Sequence, residues 1–331
     1  MKFLLLFASI FIAASSRTLN GSGNVVKSIF VNRTGKGDFR RIQEAINSIP
    51  DNNDQWIRIH VAAGVYKEKV LITQYKGFIL LEGEGAHKTL IKWGDYNNDK
   101  SNHTTVSSAT FSSYATNFVA RDISFKNTYN GGSTMSQAVA ALIAGDSSSF
   151  YRCSFIGIQD TLCDAWGRHY YEDCYIEGAL DFIFGQAQSM YQRCTITTVN
   201  APISPAYVTA QGRSSDVDQS GFVFKSCTVN GTVETYLGRA WRNYARVIFY
   251  DTNMSNIVAP LGWDAWNYKG KEKYITFVES GCSGPGSNTT GRVKWKKTLS
   301  SSELNKLIDM SYINGGGWLQ LQPNTDSQHK A

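Results

Sequence analysis

The chain has 331 residues, a net charge of +6 and 42% hydrophobic residues, enough to bury a sizeable core. No Lys/Arg run exceeds two residues and no nucleic-acid motif appears, so the basic balance points to acidic polymers other than nucleic acid. Outside the first residues no stretch is long and apolar enough to cross a bilayer.

Lys2, the apolar run 3–14 and small residues up to Ser16 read as a secretory signal peptide over 1–16, cleaved before Arg17. The remainder, 17–331, reads as a single domain. Secretion makes the sequons at Asn20, Asn32, Asn102, Asn230, Asn253 and Asn288 candidate glycosylation sites. Residues 38–49 read as a helix with Asp38 as N-cap, Ile42, Ala45, Ile46 and Ile49 on one face and Pro50 as the stop, placed to plug one end of the fold. Strand and turn units follow at 56–61, 69–72, 78–82 and 89–92, with a tight turn at 82–85 and an exposed polar loop over 95–105. Another strand unit spans 118–125.

From 109 to 252 the chain repeats itself. Tyr151-Arg152-Cys153, Glu172-Asp173-Cys174, Gln192-Arg193-Cys194 and Lys225-Ser226-Cys227 open similar units, and the first three cysteines recur at a near-constant interval. A fixed period of this size, about 21 residues, marks a solenoid. Short units rich in Val, Ile, Phe, Tyr and Thr make it a parallel β-helix. The cysteines share one repeat position, so most of them read as a buried ladder, with no pairing derivable.

Residues one coil apart stack at a spacing of roughly 4.8 Å. Asp160 stands as far after Cys153 as Asp181 stands after Cys174, so the two aspartates fall in one column. Gln159 precedes Asp160, and Gln137 belongs to the coil above. Either aspartate alone is ordinary turn chemistry. Two carboxylates and two amides in register suit acyl transfer: one acid attacks, one manages protons, and the amides hold an oxyanion. Segments 163–169 and 201–208 read as lengthened loops able to wall a cleft. The repeat fades after Trp266; Ser300 and Glu303 form a capping box for a helix to about Ile308, and the chain from Gln320 reads as loose.

The motifs Gly64-Val65-Tyr66-Lys67-Glu68, Gln137-Ala138-Val139-Ala140, Gly157-Ile158-Gln159-Asp160-Thr161-Leu162, Asp181-Phe182-Ile183-Phe184-Gly185 and Leu237-Gly238-Arg239-Ala240-Trp241, in this order and spacing, resemble the plant pectin methylesterase (pectinesterase) family over most of the chain. The resemblance implies a right-handed parallel β-helix with short capping helices. It implies Asp181 as nucleophile, Asp160 as acid and base, Gln137 and Gln159 as oxyanion donors, and Arg239 as the cation that keeps Asp181 ionised. Trp241, Trp263 and Phe182 would contact sugar. No metal or organic cofactor is implied. The implied substrate is methyl-esterified homogalacturonan in the extracellular cell wall, the implied partner a proteinaceous pectinesterase inhibitor, and the implied working unit a monomer without an inhibitor-like pro-region. Ala240, Ala141-Leu142 and Cys163 depart from the commoner family residues, and Cys163 puts a substrate subsite in question.

Among alternatives, a polygalacturonase lacks its Gly-His-Gly turn here, a pectate lyase its calcium-binding acids, and a serine hydrolase its Gly-x-Ser-x-Gly. A catalytically inactive pectin-binding wall protein stands against the intact set of Gln137, Gln159, Asp160, Asp181 and Arg239.

Overall fold

The computed structural model describes residues 23–130 and 135–323. The leader read at 1–16 and the sequon at Asn20 lie outside them. Each of eight complete coils contributes one short strand to each of three parallel sheets, and Val25–Val31 and Thr276–Ser280 extend one of the sheets to ten strands. One coil runs Ala141–Ile143, Ser148–Tyr151, Ser154–Ile156 and returns to the first sheet at Leu162–Asp164. The result is a right-handed parallel β-helix. The eight-stranded sheet that carries Ala141–Ile143, Leu162–Asp164, Ile183–Gly185, Ala206–Gln211 and Thr235–Ala240 is called the cleft sheet below.

Repeated local chemistry turns each corner. Asp122, Arg152, Asp173, Arg193, Ser226 and Asp251 all adopt left-handed backbone, with φ between 50° and 55°. Asp tolerates that region because its side chain bonds locally; the arginines are held there by neighbours, Arg152 donating to Asp122 and Arg193 to Asp173, at 2.8 and 2.9 Å through Nε. This left-handed residue splits the unit at 118–125 into two strands, Phe118–Arg121 and Ser124–Asn127. The residue after each corner points inward. Cys153, Cys174, Cys194 and Cys227 fill four such positions, buried and unpaired, as the ladder reading expects; Cys163 and Cys282 are also free thiols. Within the ladder, Cys174, Cys194 and Cys227 each donate to a carbonyl of the coil before, Cys227 to Tyr191 at 3.3 Å.

Inside, aromatic rings continue from coil to coil. Phe150, Tyr171, Tyr191, Phe224 and Phe249 stack nearly parallel, with centroids 4.9, 4.5, 4.5 and 4.5 Å apart. The hydroxyls of Tyr171 and Tyr191 donate to the fully buried Asp164, which is also bonded to His169, so this core carboxylate is satisfied by hydrogen bonds.

Helix α1 (Ile42–Asn47) plugs the first coil with Ile42, Ala45 and Ile46. It starts later than the sequence pattern suggests. Asp38 instead accepts from the amide of Phe30, and the helix N-terminus is satisfied by Glu68, which accepts from Ile42 and Gln43. Helix α2 (Ser301–Ile308) has the expected capping box of Ser300 and Glu303. It does not cap an end of the solenoid. It lies along the outer face of the ten-stranded sheet, where Ile308 packs with Met190, Val223 and Ile248. The chain past Gln320 is docked rather than loose as far as Pro323, because Gln322 accepts from Ser149 and Tyr151 and Leu321 accepts from Trp56.

Candidate active site

The site is built on one column of the cleft sheet and the turn that feeds it. Residues in this sheet alternate inward and outward. Phe111, Ala141, Leu162, Ile183, Thr209, Gly238 and Trp263 pair in sequence along one row, and Ser112, Leu142, Cys163, Phe184, Ala210, Arg239 and Asp264 along the next. The first row faces the core and the second faces the cleft, with Leu142, Cys163, Phe184 and Ala210 forming an apolar floor. Two segments read as wall loops are therefore partly strand: Cys163 lies within Leu162–Asp164, and Ala206 and Val208 within Ala206–Gln211.

Asp160 and Asp181 occupy equivalent positions on adjacent coils. Leu162 pairs with Ile183, Gln159 bridges to Leu180, and the Asp160 amide donates to the Leu180 carbonyl at 3.0 Å. Both aspartates are left-handed, at φ 60° and 49°. That backbone breaks the period-two alternation, so Thr161 and Phe182 turn into the core while the carboxylates stay on the cleft side. Gly178 makes this possible, since a Cβ there would lie 2.2 Å from that of Phe182.

The two amides also stack. The interval from Gln137 to Gln159 is one residue longer than that from Asp160 to Asp181, and a β-bulge absorbs the difference. The amides of Ala140 and Ala141 both donate to the Thr161 carbonyl, at 2.8 and 3.2 Å, while Ala138 donates to the Gln159 carbonyl. Gln137 is thereby brought directly over Gln159. Among the described residues, no group bonds the side-chain amide of Gln159 or accepts from that of Gln137.

Arg239 reaches Asp181 across two coils. Its Nε donates to one carboxylate oxygen at 2.7 Å and its Nη2 to the other at 2.5 Å, a bidentate pair. Its guanidinium carbon lies 3.7 Å from the ring centroid of Trp266 and 4.5 Å from that of Tyr207. These aromatic faces hold the guanidinium in place. Asp160 has no such partner: its carboxyl makes no hydrogen bond with a described residue.

This asymmetry sets the charges. Burial pushes the Asp160 carboxyl well above the usual carboxylate range, the neighbouring Asp181 charge adds to the rise, and Arg239 opposes it only through space. Burial also pushes Asp181 up, with a further rise from Asp264, but Arg239 opposes by direct hydrogen bonds and by charge. Two carboxylates this close do not both ionise readily, and the proton belongs on the one without the cation.

Of the aromatic residues expected at the cleft, Trp241 is there, half-buried, its ring edge-on to Phe184 at 6.2 Å. Trp263 and Phe182 are not. Trp263 is 1% exposed, sits in the inward row, stacks on Phe277 at 4.4 Å and donates from Nε1 to Glu279. Phe182 is fully buried for the reason given above. Their places at the cleft are taken by Trp266, Tyr207 and Phe184. Strand parity singles out Phe184, the residue after the inward Ile183 within the strand Ile183–Gly185. Nothing in the sequence pattern singles out Trp266, which follows the last strand of the cleft sheet and has left-handed backbone of its own.

A model of the pectinesterase family matches residues 28–316. The Arabidopsis thaliana protein described as probable pectinesterase 29 is 47% identical over 307 residues, covering 90% of this chain and 90% of that protein. Pectinesterase QRT1 from the same plant is 35% identical, covering 94% of this chain and 83% of the relative. Among solved structures, pectin methylesterase from carrot superposes with a TM-score of 0.82 at 33% identity, covering 92% of this chain and 97% of that one. The Aspergillus niger enzyme does so with 0.76 at 29% identity, covering 93% and 98%. The sequence match over nearly the whole chain and the shared solenoid lead to one assignment: this chain belongs to the pectinesterase family.

Proposed function

We propose that the protein demethylates pectin by a two-step acyl transfer in which Asp181 is the nucleophile and Asp160 the acid and base. The observation that carries the reading is the in-register carboxylate pair of which, among the described residues, only Asp181 is ion-paired, bidentately, with a cation.

An ionised Asp181 oxygen attacks the carbonyl carbon of a galacturonate methyl ester. The carbonyl oxygen becomes an oxyanion, which the side-chain amides of Gln137 and Gln159 stabilise as donors. The intermediate collapses, the bond to the methoxy oxygen breaks, and Asp160 gives its proton to the departing methanol. An anhydride now joins substrate and Asp181. Asp160, ionised by that transfer, takes a proton from water as the water oxygen attacks the substrate carbonyl. The anhydride bond breaks, Asp181 leaves as carboxylate beside Arg239, and the new uronic acid gives its proton to solvent. Asp160 ends protonated and Asp181 ionised, as at the start. The chemistry needs no group that the chain lacks.

The cleft floor of Leu142, Cys163 and Phe184, with Trp241 and Trp266 beside it, suits the apolar faces of sugar rings. The same reading includes secretion through the leader at 1–16, a mature domain of 17–331 acting as a monomer on wall homogalacturonan, and competition for the cleft by a proteinaceous inhibitor. The test is methanol release from methylated pectin. Wild-type protein should release methanol and Asp181→Asn should not, while still binding the polymer, because an amide cannot replace the carboxylate nucleophile. Near-wild-type turnover by Asp181→Asn would overturn the assignment.

A further inference from the structure

We infer that Asn97 is a positioning residue for this reaction, fixing which end of the Gln137 side-chain amide faces the substrate; the inference rests on the oxyanion reading of Gln137 above. A primary amide presents an acceptor oxygen at one end and a donor nitrogen at the other. It stabilises an oxyanion only if the nitrogen faces it, and the backbone of Gln137 leaves that choice open.

Asn97 makes the choice. Its Nδ2 donates to Gln137 Oε1 at 3.0 Å. With the oxygen held there, the nitrogen is the end left for the cleft, and among the described residues nothing else accepts from it. Among the described residues, Gln159, one rung below, has no such side-chain partner.

Asn97 is itself fixed. Its amide donates to the Gln137 carbonyl at 2.8 Å, and Ser136 Oγ donates to its carbonyl at 2.8 Å. It therefore continues the column of Gln159 and Gln137 as a third rung, although it comes from a loop 40 residues earlier in the chain. That loop is anchored on both sides of it. Asp95 accepts from Lys69 Nζ at 2.5 Å and from Trp93 Nε1 at 2.8 Å, and its carbonyl accepts from Asn127. Past Asn97, the Asn98 amide donates to the His103 carbonyl at 2.7 Å, and His103 is bonded to Asp99. A segment that reads as an exposed polar loop thus delivers one side chain to the rim of the site.

The discriminating substitution is Asn97→Asp, nearly isosteric but with an acceptor in place of the donor. The carboxylate would take the Gln137 nitrogen, turning the amide so that its oxygen faces the developing oxyanion. Asn97→Ala removes the constraint without reversing it. On methylated pectin, kcat should fall about 10²-fold in Asn97→Asp, comparable to losing one oxyanion donor, and by less in Asn97→Ala, with KM within about twofold in both. In a Gln137→Ala background, Asn97→Asp should change kcat by less than about twofold, because it acts only through the group already removed. A merely structural role would give losses that multiply in that background. Multiplying losses, or wild-type kcat in both folded Asn97 variants, would overturn the inference while leaving the role of Gln137 intact. Wild-type kcat in Gln137→Ala alone would overturn the oxyanion reading beneath it.

Discussion

Removing the Arg239 cation tests the division of labour between the two carboxylates. In Arg239→Ala, Asp181 loses both of its charge-assisted hydrogen bonds, at 2.7 and 2.5 Å, and stays buried at 7% exposure. Unit charges about 4 Å apart at an effective dielectric near 20 interact by about 4 kcal/mol, and breaking a buried pair by deleting one partner typically costs about 3–5 kcal/mol. The two figures agree. At about 1.4 kcal/mol per tenfold, the ionised nucleophile becomes harder to form by up to roughly 10³-fold. The sign follows from the chemistry. Attack needs Asp181 ionised, so activity falls on the acid side as Asp181 takes a proton. Burial already pushes that carboxyl up and Arg239 pulls it down; without the arginine the acid limb must move toward neutral pH. The assay is kcat/KM for methanol release across pH for wild type, Arg239→Ala and Arg239→Lys. The lysine variant keeps a charge but not the fork, so its acid limb should stay nearer the wild-type position while its rate drops. An acid limb at the same pH in wild type and Arg239→Ala would show that Arg239 does not set the charge on Asp181.

Other outcomes are equally definite. Gln159→Ala should lower kcat by about 10²–10³ with little change in KM; a rise in KM alone would make Gln159 a substrate-positioning group. Trp263→Ala should destabilise the fold by about 3–5 kcal/mol in denaturant titrations, as a large core truncation does, whereas Trp266→Ala should leave stability within about 1 kcal/mol and weaken turnover by loosening Arg239; the reverse pattern would contradict their placement. Binding to de-esterified pectin should weaken steeply as salt is raised, given the net charge of +6, and a dissociation constant indifferent to salt would refute an electrostatic contribution.

The reacting groups were legible because their spacing repeats. Cys153 and Cys174 set the same register as Asp160 and Asp181, and the motif order supplied Arg239. Side-chain direction was harder to read. Phe182 sits beside a left-handed aspartate that inverts the alternation, so adjacency to Asp181 sent it inward rather than to the cleft. Trp263 pairs with Gly238 rather than Arg239, one residue from the outward row. The start of α1 was misplaced because its cap, Glu68, comes from 26 residues away rather than from the preceding turn. Asn97 has a role set by the loop fold, which no local pattern announces.

The single coil between the carboxylates also constrains how this gene can vary. One residue inserted or lost between Leu162 and Leu180 would slip Asp181 against Asp160, and a one-residue slip in a parallel ladder sends side chains to the opposite face. A change of length in that interval keeps the site only where a bulge or a turn takes it up, as the bulge at Ala140 and Ala141 does on the coil above. The next coil is longer: Ser189 pairs with Phe222 and Ser148 with His169, and the first of these intervals is half as long again as the second. The extra chain leaves the stack around 199–205 and 214–219, outside the paired strands. Chain added there would lie outside the paired strands and leave the register of Asp160 and Asp181 untouched, so the walls of the cleft can change in length where the coil that carries the carboxylates cannot do so freely.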